Sequence, residues 1–450
     1  MSRLFGTDGV RGVANTELTA ELAFKLGAAS VRALSRERER PVFLIGKDTR
    51  ISGDMLEDAI CAGILSMGGD VVKTGVLPTP AIAYLVRRRG ADAGVVISAS
   101  HNPFEYNGIK FFNGAGFKLD DAIEDEIERA VLSCDAGGGD RVCGAGLGRR
   151  TESASDALRG YADFLKGAAC VPLRGMKLVV DCANGAAREA AALVFGELGA
   201  DLTLIGDKPD GLNINDGCGS TRPEGLQRRV TELGADLGLA FDGDADRLIA
   251  VDEKGRLMDG DRILYICAAM LRARGALPAA LVTATVMSNI GLKKALERIG
   301  CRLQLTAVGD RCVLERMLHT GSVLGGEQSG HIIFLEHSTT GDGILAALQL
   351  IGAIVRSGKR PSELADLVTI YPQVLRNAAV RNENKSLYSA DDAIRAEIER
   401  IETLMADEGR VLIRPSGTEP LVRVMIEGGD PARIARMADD LAEMIATRFG

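Results

Sequence analysis

Hydrophobic and polar positions alternate along this chain in one arrangement that recurs three times. A short apolar, β-rich run comes first, at Val42–Ile45, Leu178–Val180 and Leu281–Ala284. An amphipathic stretch with helical spacing follows, at Met55–Met67, Ala187–Leu198 and Gly291–Ile299. A second apolar run comes next, at Val71–Thr74, Leu202–Leu204 and Leu303–Leu305. After a further helical stretch, a third apolar run ends abruptly in polar residues. These ends are Val95–Ile97 into Ser98-Ala-Ser-His-Asn-Pro, Leu237–Phe241 into Asp242-Gly-Asp-Ala-Asp-Arg, and Val323–Leu324 into Gly325-Gly-Glu-Gln-Ser-Gly-His. Period-2 runs alternating with 3.6-period stretches predict α/β units on mixed or parallel sheets. Ligands in such sheets bind beyond the carboxyl ends of the strands, so the three polar ends are the places to look for chemistry.

The pattern changes near Tyr371. From there the order is strand (Val374–Leu375), helix (Asp391–Ile401), strand (Val411–Arg414), strand (Leu421–Ile426) and helix (Ala432–Thr447). Asp430 is the expected cap of the last helix, with Pro431 in its first turn and Ile434, Met437, Leu441, Met444 and Ile445 on its apolar face. The expected architecture is three related α/β domains with mixed sheets, over 1–150, 151–255 and 256–370. A smaller α+β domain follows over 371–450. The Gly-rich stretch Ala136–Gly148 reads as a surface loop near the first boundary, and Ile344–Val355 as a buried helix too short to span a bilayer.

Composition narrows the function. The net charge is −8, with no block of Lys or Arg, which argues against nucleic acid and anionic membrane as partners. An anionic ligand therefore needs a local cluster of cations. Nine cysteines without a C-x-x-C pair, among them Cys182, Cys267 and Cys301 in apolar surroundings, read as reduced thiols of a cytoplasmic protein. The N-terminus lacks an apolar signal core.

Asp242, Asp244 and Asp246 stand at alternate positions directly after an apolar strand, followed by Arg247. Three carboxylates so placed repel one another unless a cation sits among them, and hard oxygen ligands favour magnesium or calcium. A calcium loop would place Gly where Arg247 stands. A phosphatase with Asp242 as nucleophile is an alternative, because an apolar strand ending in D-x-D serves such enzymes too. Ser100, in Ser98-Ala-Ser-His-Asn-Pro, is a candidate nucleophile, with Lys110 supplying a nearby cation in Asn-Gly-Ile-Lys. Glu327, Gln328 and Ser329 offer the donors and acceptors that sugar hydroxyls need, and the flanking glycines would let backbone approach a ligand. His331 is either part of that group or a structural histidine. Arg414-Pro-Ser416-Gly417-Thr418, with Arg423, has the make-up of a phosphate cradle. Arg11 among glycines, the Lys47–Arg50 segment and Arg311 add cations at strand ends.

In this order, and over essentially the whole chain, these motifs resemble the α-D-phosphohexomutase family. Its fold is three related α/β domains and a smaller C-terminal domain around one central cleft. The segments Phe-Gly-Thr-Asp-Gly-Val-Arg-Gly at 5–12, Gly-Glu-Gln-Ser-Gly-His at 326–331 and Arg-Pro-Ser-Gly-Thr-Glu-Pro at 414–420 are similar to the branch acting on glucosamine phosphates. Tyr106 is instead similar to the phosphomannomutase/phosphoglucomutase branch.

The resemblance implies a phosphorylated Ser100, with one Mg²⁺ held by Asp242, Asp244, Asp246 and a phosphoserine oxygen. It makes Lys110 and His331 acid/base groups and puts Arg247 and Arg11 in the active centre. Glu327 and Ser329 become sugar contacts, and Arg414, Ser416, Gly417, Thr418 and Arg423 the site of the non-reacting phosphate. The implied reaction interconverts glucosamine 6-phosphate and glucosamine 1-phosphate through a sugar 1,6-bisphosphate, towards UDP-N-acetylglucosamine and the cell wall. A kinase or autophosphorylation would prime Ser100, and a homodimer is a possible assembly. A non-catalytic sugar-phosphate sensor is the other class of protein that could keep such a cradle.

Overall fold

The computed structural model describes residues 3–6, 8–34, 40–133, 142–416 and 419–450. They form two compact units, Met1–Met287 with Gly300–Asp366, and Ser288–Ile299 with Leu367–Gly450.

The first unit holds three sheets that share one four-strand plan. In each, three parallel strands lie in the order second, first, third, and an antiparallel strand folds back beside the third. In the N-terminal sheet the parallel trio is Asp70–Val76, Val42–Lys47 and Ala93–Ile97, and the return strand is Tyr106–Asn113. In the second sheet they are Asp201–Ile205, Lys177–Asp181 and Leu237–Phe241, with Leu248–Asp252 returning. In the third they are Arg302–Thr306, Leu281–Thr285 and Leu324–Gly326, with Ile332–Phe334 returning. The central strands Ala93–Ile97, Leu237–Phe241 and Leu281–Thr285 are buried at every position, which is why they read as continuous apolar or small-residue runs rather than as alternation. The N-terminal sheet is widened by Val10–Val13 on one edge and Arg150–Glu152 on the other.

Of the three return strands, only the apolar run Leu248–Val251 reads as a strand in the sequence, and it forms Leu248–Asp252. Asn107-Gly-Ile-Lys110 is not a loop but the start of Tyr106–Asn113, with Lys110 paired opposite Val96. This strand is buried along both faces, so it lacks the alternation that marks an amphipathic strand. The Gly325-Gly326 pair likewise lies in a strand. A Cβ at Gly326 would stand 2.5 Å from the His331 carbonyl oxygen, so this glycine serves the hairpin rather than a ligand.

Helix Gly343–Ser357 is buried through most of its length, as its sequence implies. No helix among the described residues is long and apolar enough to cross a membrane. Part of the Gly-rich stretch, 134–141, lies outside the described residues; Gly144–Gly146 forms a turn of 3₁₀ helix. Cys182, Cys267 and Cys301 are free and buried.

The second unit is an antiparallel sheet, in the order Gln373–Ala379, Leu421–Gly428, Gly409–Pro415, packed against helices Asp392–Met405 and Pro431–Phe449. Asp430 caps the last helix by accepting from the N–H groups of Ala432 and Arg433, and Ile434, Met437, Leu441 and Ile445 enter the core.

Candidate active site

The shared plan places one chemical loop at the same point of each sheet, between the third strand and its antiparallel return. These loops are 98–105, 242–247 and 327–331. Backbone hydrogen bonds fasten the second to the third. Leu248 N–H donates to the Gly330 carbonyl at 2.9 Å, and Arg247 and His331 form an isolated bridge. Gly330 has φ 94°, and a Cβ there would sit 2.2 Å from the Leu248 carbonyl oxygen, so only glycine permits this contact.

Ser100 adopts a left-handed backbone, φ 52°. Its carbonyl oxygen accepts from Arg50 (3.2 Å) and from Asn215 (3.0 Å), and the same two side chains hold the Asn102 carbonyl. Arg50 is itself paired with buried Asp48. The turn is thus anchored from behind while its hydroxyl points to the metal loop. Ser100 Oγ donates to Asp242 Oδ2 at 2.5 Å and lies 3.3 Å from His101 Nδ1.

Asp242, Asp244 and Asp246 are buried, and each offers an oxygen within 4.8 Å of the others. Asp244 Oδ1 and Asp246 Oδ1 have no hydrogen-bond partner. Orphaned carboxylate oxygens aimed at a common point, with a hard all-oxygen donor set, fit a divalent cation of the magnesium or calcium kind. Without a cation, burial and the neighbouring Asp246 and Asp244 push the Asp242 carboxyl well above its ordinary range. Burial opposes ionisation of Asp246 as well, but His331, Lys110 and Arg247 outweigh it and hold that carboxyl low. Asp242 uses both oxygens, accepting from Ser100 on Oδ2 and from the Arg247 N–H on Oδ1 (3.1 Å). Asp242 does not line the cleft and has both oxygens engaged, so it is badly placed to attack a phosphate, whereas Ser100 lines that cleft.

That cleft has a volume of about 560 Å³. Ser100, Arg11, Arg247, Glu327 and His331 line it, together with His101, Asp8 and Asp310, which the motif reading had passed over or treated only as neighbours of cations. Lys110 lies just behind, bonded to Asp244 (2.8 Å) and Asp8 (3.0 Å). Burial alone would lower the Lys110 ammonium, but Asp244, Asp8 and Asp246 raise it further than burial lowers it. His331 sits 3.5 Å from Asp246 and 3.7 Å from Asp310. Burial disfavours its charged form, yet Asp246 and Asp310 carry the ring up to about 9. The Gly341 N–H donates to His331 Nε2 at 3.0 Å, an arrangement suited to the neutral ring with its proton on Nδ1. Carboxylates favouring the charged ring and an amide favouring the neutral one equip His331 to gain or lose a proton. His101 differs: burial, with Arg247 and Arg11, pushes it down to about 4.

Other expected cations are spoken for. Lys47 pairs with Asp54 and Glu57, Arg50 braces the serine turn, and Arg311 pairs with Asp121 and Glu315. Of the cations anticipated at strand ends, Arg11 is the one that lines the cleft. Ser329 is exposed, and neither it nor Tyr106 lines the cleft.

In the second unit Arg414 and Arg423 stand opposite each other on paired strands. Burial and then the facing Arg423 lower the Arg414 guanidinium. Ser416 accepts from the Glu419 N–H (3.1 Å), and its carbonyl accepts from Lys385 (2.9 Å), a cation whose sequence setting gave no hint of this. Gly417 and Thr418 lie outside the described residues.

Family models cover most of the chain. The phosphoglucomutase/phosphomannomutase alpha/beta/alpha domain I matches 2–136, domain II 159–255, domain III 259–371 and the C-terminal domain 375–444. The chain is 54% identical to a phosphoglucosamine mutase of Clostridium beijerinckii and 56% identical to one of a Thermoanaerobacter species, with all of each chain covered. Among solved structures, a phosphoglucomutase/phosphomannomutase family protein from Burkholderia thailandensis superposes with a TM-score of 0.83 at 25% identity, over 99% of this chain and 98% of the other. An Aspergillus fumigatus N-acetylphosphoglucosamine mutase, solved with GlcNAc-6P and magnesium, shares the fold at a TM-score of 0.67 and 19% identity, over 99% of this chain and 95% of that one. With its domains matched in family order and its whole length aligned, the chain belongs to the phosphoglucomutase/phosphomannomutase family, within the phosphoglucosamine mutase branch.

Proposed function

We propose that the enzyme interconverts glucosamine 6-phosphate and glucosamine 1-phosphate by exchanging a phosphoryl group with Ser100. The observation that carries this reading is the Ser100 hydroxyl, hydrogen-bonded to Asp242 in a buried acidic triad and opening onto a cleft lined by Arg11, Arg247, Glu327 and His331.

In the first transfer the bond from phosphorus to Ser100 Oγ breaks as one forms to the C1 hydroxyl oxygen of glucosamine 6-phosphate. The hydroxyl proton passes to Lys110 or His331 in its uncharged form, and Ser100 Oγ takes up a proton as its phosphate leaves. The resulting 1,6-bisphosphate then presents its other end. The bond from phosphorus to O6 breaks, a bond to Ser100 Oγ forms, and the proton returns to O6. Arg247 and Arg11 offset charge on the transferred oxygens, while Glu327 binds sugar hydroxyls; Ser329, outside the cleft as it stands, would have to turn towards the sugar to join it. Asp242, Asp244 and Asp246 would hold one Mg²⁺, which supplies positive charge at the phosphoserine oxygens. Arg414, Ser416 and Arg423, with Gly417 and Thr418, take the phosphate that is not reacting. A kinase or autophosphorylation primes Ser100. Abundant free thiols suit a cytoplasmic setting, and a homodimer is a compatible assembly.

The amino sugar itself rests on the similarity to the bacterial relatives, because Glu327 and Ser329 can satisfy hydroxyls common to several hexoses. The test is kcat/KM measured side by side on glucosamine, glucose and mannose 6-phosphates. A clear preference for glucosamine 6-phosphate, with residual turnover of glucose phosphate, is expected. Equal or higher kcat/KM with glucose or mannose phosphate overturns the sugar assignment. Release of inorganic phosphate without isomer would overturn the mutase reading as a whole.

A further inference from the structure

The cleft is underlain by a chain of alternating acidic and basic side chains that begins and ends on the Asp242–Asp246 loop and draws on segments of all three α/β repeats. It runs from Asp244 to Lys110 (2.8 Å), Lys110 to Asp8 (3.0 Å), Asp8 to Lys118 (2.6 Å), Lys118 to Asp310 (2.5 Å), Asp310 to His331 (3.7 Å) and His331 to Asp246 (3.5 Å). Both proposed acid/base groups, Lys110 and His331, are members. Each is gripped on one side by a metal-loop carboxylate and on the other by a carboxylate outside that loop. Those outer carboxylates, Asp8 and Asp310, are joined by a single ammonium.

We propose that Lys118 is a positioning residue that sets Lys110 and His331 for proton transfer, although it touches neither them nor the substrate. This rests on the mutase reading above. Lys118 follows the tight turn after strand Tyr106–Asn113, and its main chain bridges back to Phe112, so its root is fixed to the strand that carries Lys110. Its side chain is 15% exposed. Asp310 is the first residue of helix Asp310–Thr320, and Asp8 lies just before strand Val10–Val13. Without the ammonium, two half-buried carboxylates would face each other across its place, and like charges at such range repel. They would part or take up a proton. Asp8 would then no longer hold Lys110 and Arg11, and Asp310 would no longer stand beside the His331 ring. A misplacement of even 1 Å at acid/base groups is known to cost on the order of a hundredfold in rate.

The phosphate cradle in the second unit is no part of this chain of charges. A Lys118 variant should therefore lose turnover and not affinity. Lys118→Met is expected to lower kcat at least tenfold with KM within threefold of the parent, while Lys118→Arg, which keeps the charge, recovers part of the loss. A merely structural residue would lower the active fraction, so kcat is referred to folded, phosphoserine-bearing enzyme quantified by mass spectrometry. Should Lys118→Met not fold, Lys118→Gln is compared with Lys118→Arg, and lower kcat in the glutamine variant is expected. A kcat within threefold of the parent in Lys118→Met, a loss confined to KM, or equal kcat in the glutamine and arginine variants overturns the proposal. The underlying reading is checked separately, by parent turnover and its disappearance in Ser100→Ala. An active parent with an indifferent Lys118 series would sink this inference alone.

Discussion

The reaction centre of the first unit and the cation pair of the second treat charge in opposite ways. Around Ser100, buried and half-buried acids and bases are matched: Lys110 has Asp244 and Asp8, Lys118 has Asp8 and Asp310, and His331 has Asp246 and Asp310. At Arg414 and Arg423 the matching is incomplete. Arg423 meets Glu419 at 3.1 Å with both side chains largely in solvent, and Arg414 faces another guanidinium. Matched charges hold geometry for a step that must be repeated in both directions. If the second unit binds the non-reacting phosphate as proposed, the first region positions and the second captures, and substitutions in the two should fail differently.

The largest effect belongs to the nucleophile. Ser100→Ala should lose nearly all mutase turnover, and the acid-stable phosphoserine expected in the purified parent should be absent from it, as read by intact mass and phosphopeptide mapping. A hydroxylamine-labile phosphate on Asp242 in an active Ser100→Ala protein would dissolve the distinction between the two regions. Next comes the metal loop. Asp244→Asn removes one of the orphaned oxygens' carboxylates and a partner of Lys110, so magnesium affinity and kcat should both fall while the fold persists; calorimetric titration of Mg²⁺ and circular dichroism measure the two. Full activity in excess chelator would contradict this.

The capture region should show itself in KM. Arg414→Ala removes a charge-assisted contact worth on the order of 1.5–3 kcal/mol, roughly a tenfold to hundredfold rise in KM with a smaller change in kcat. If kcat fell and KM held, the comparison would be reversed. The smallest effect is control for both. Asp430→Ala removes the cap of helix Pro431–Phe449 and should cost about 0.5–2 kcal/mol of stability in thermal melts, leaving kcat unchanged.

Much of this was legible in the residues. The apolar runs located the parallel strands because strands buried on both faces need no alternation, and the polar ends located all three chemical loops. The Asp triad betrayed itself by adjacency in sequence. Residues that act together from distant points did not. Asp8, Lys118 and Asp310 are separated by 100 residues or more of chain on one or both sides, and each sits in an ordinary polar setting. Arg50 resembled a ligand cation because an arginine among polar residues at a strand end carries no mark of which way it turns; it faces inward, to two carbonyls. Lys110 was legible as chemistry but not as strand, since the buried return strand that carries it has no periodic signature.

The left-handed backbone at Ser100 has a consequence for how this protein could change over time. At φ 52° a side chain is sterically disfavoured and glycine is at ease, so folding and catalysis ask for different residues at this position. Replacing Ser100 with glycine relieves a left-handed strain of about 1–3 kcal/mol, offset by about 0.4–1 kcal/mol for the freer unfolded chain and by the lost hydrogen bond to Asp242, while abolishing the reaction. Selection for heat resistance alone would therefore not protect this residue, and libraries screened for melting temperature without turnover would admit inert enzyme.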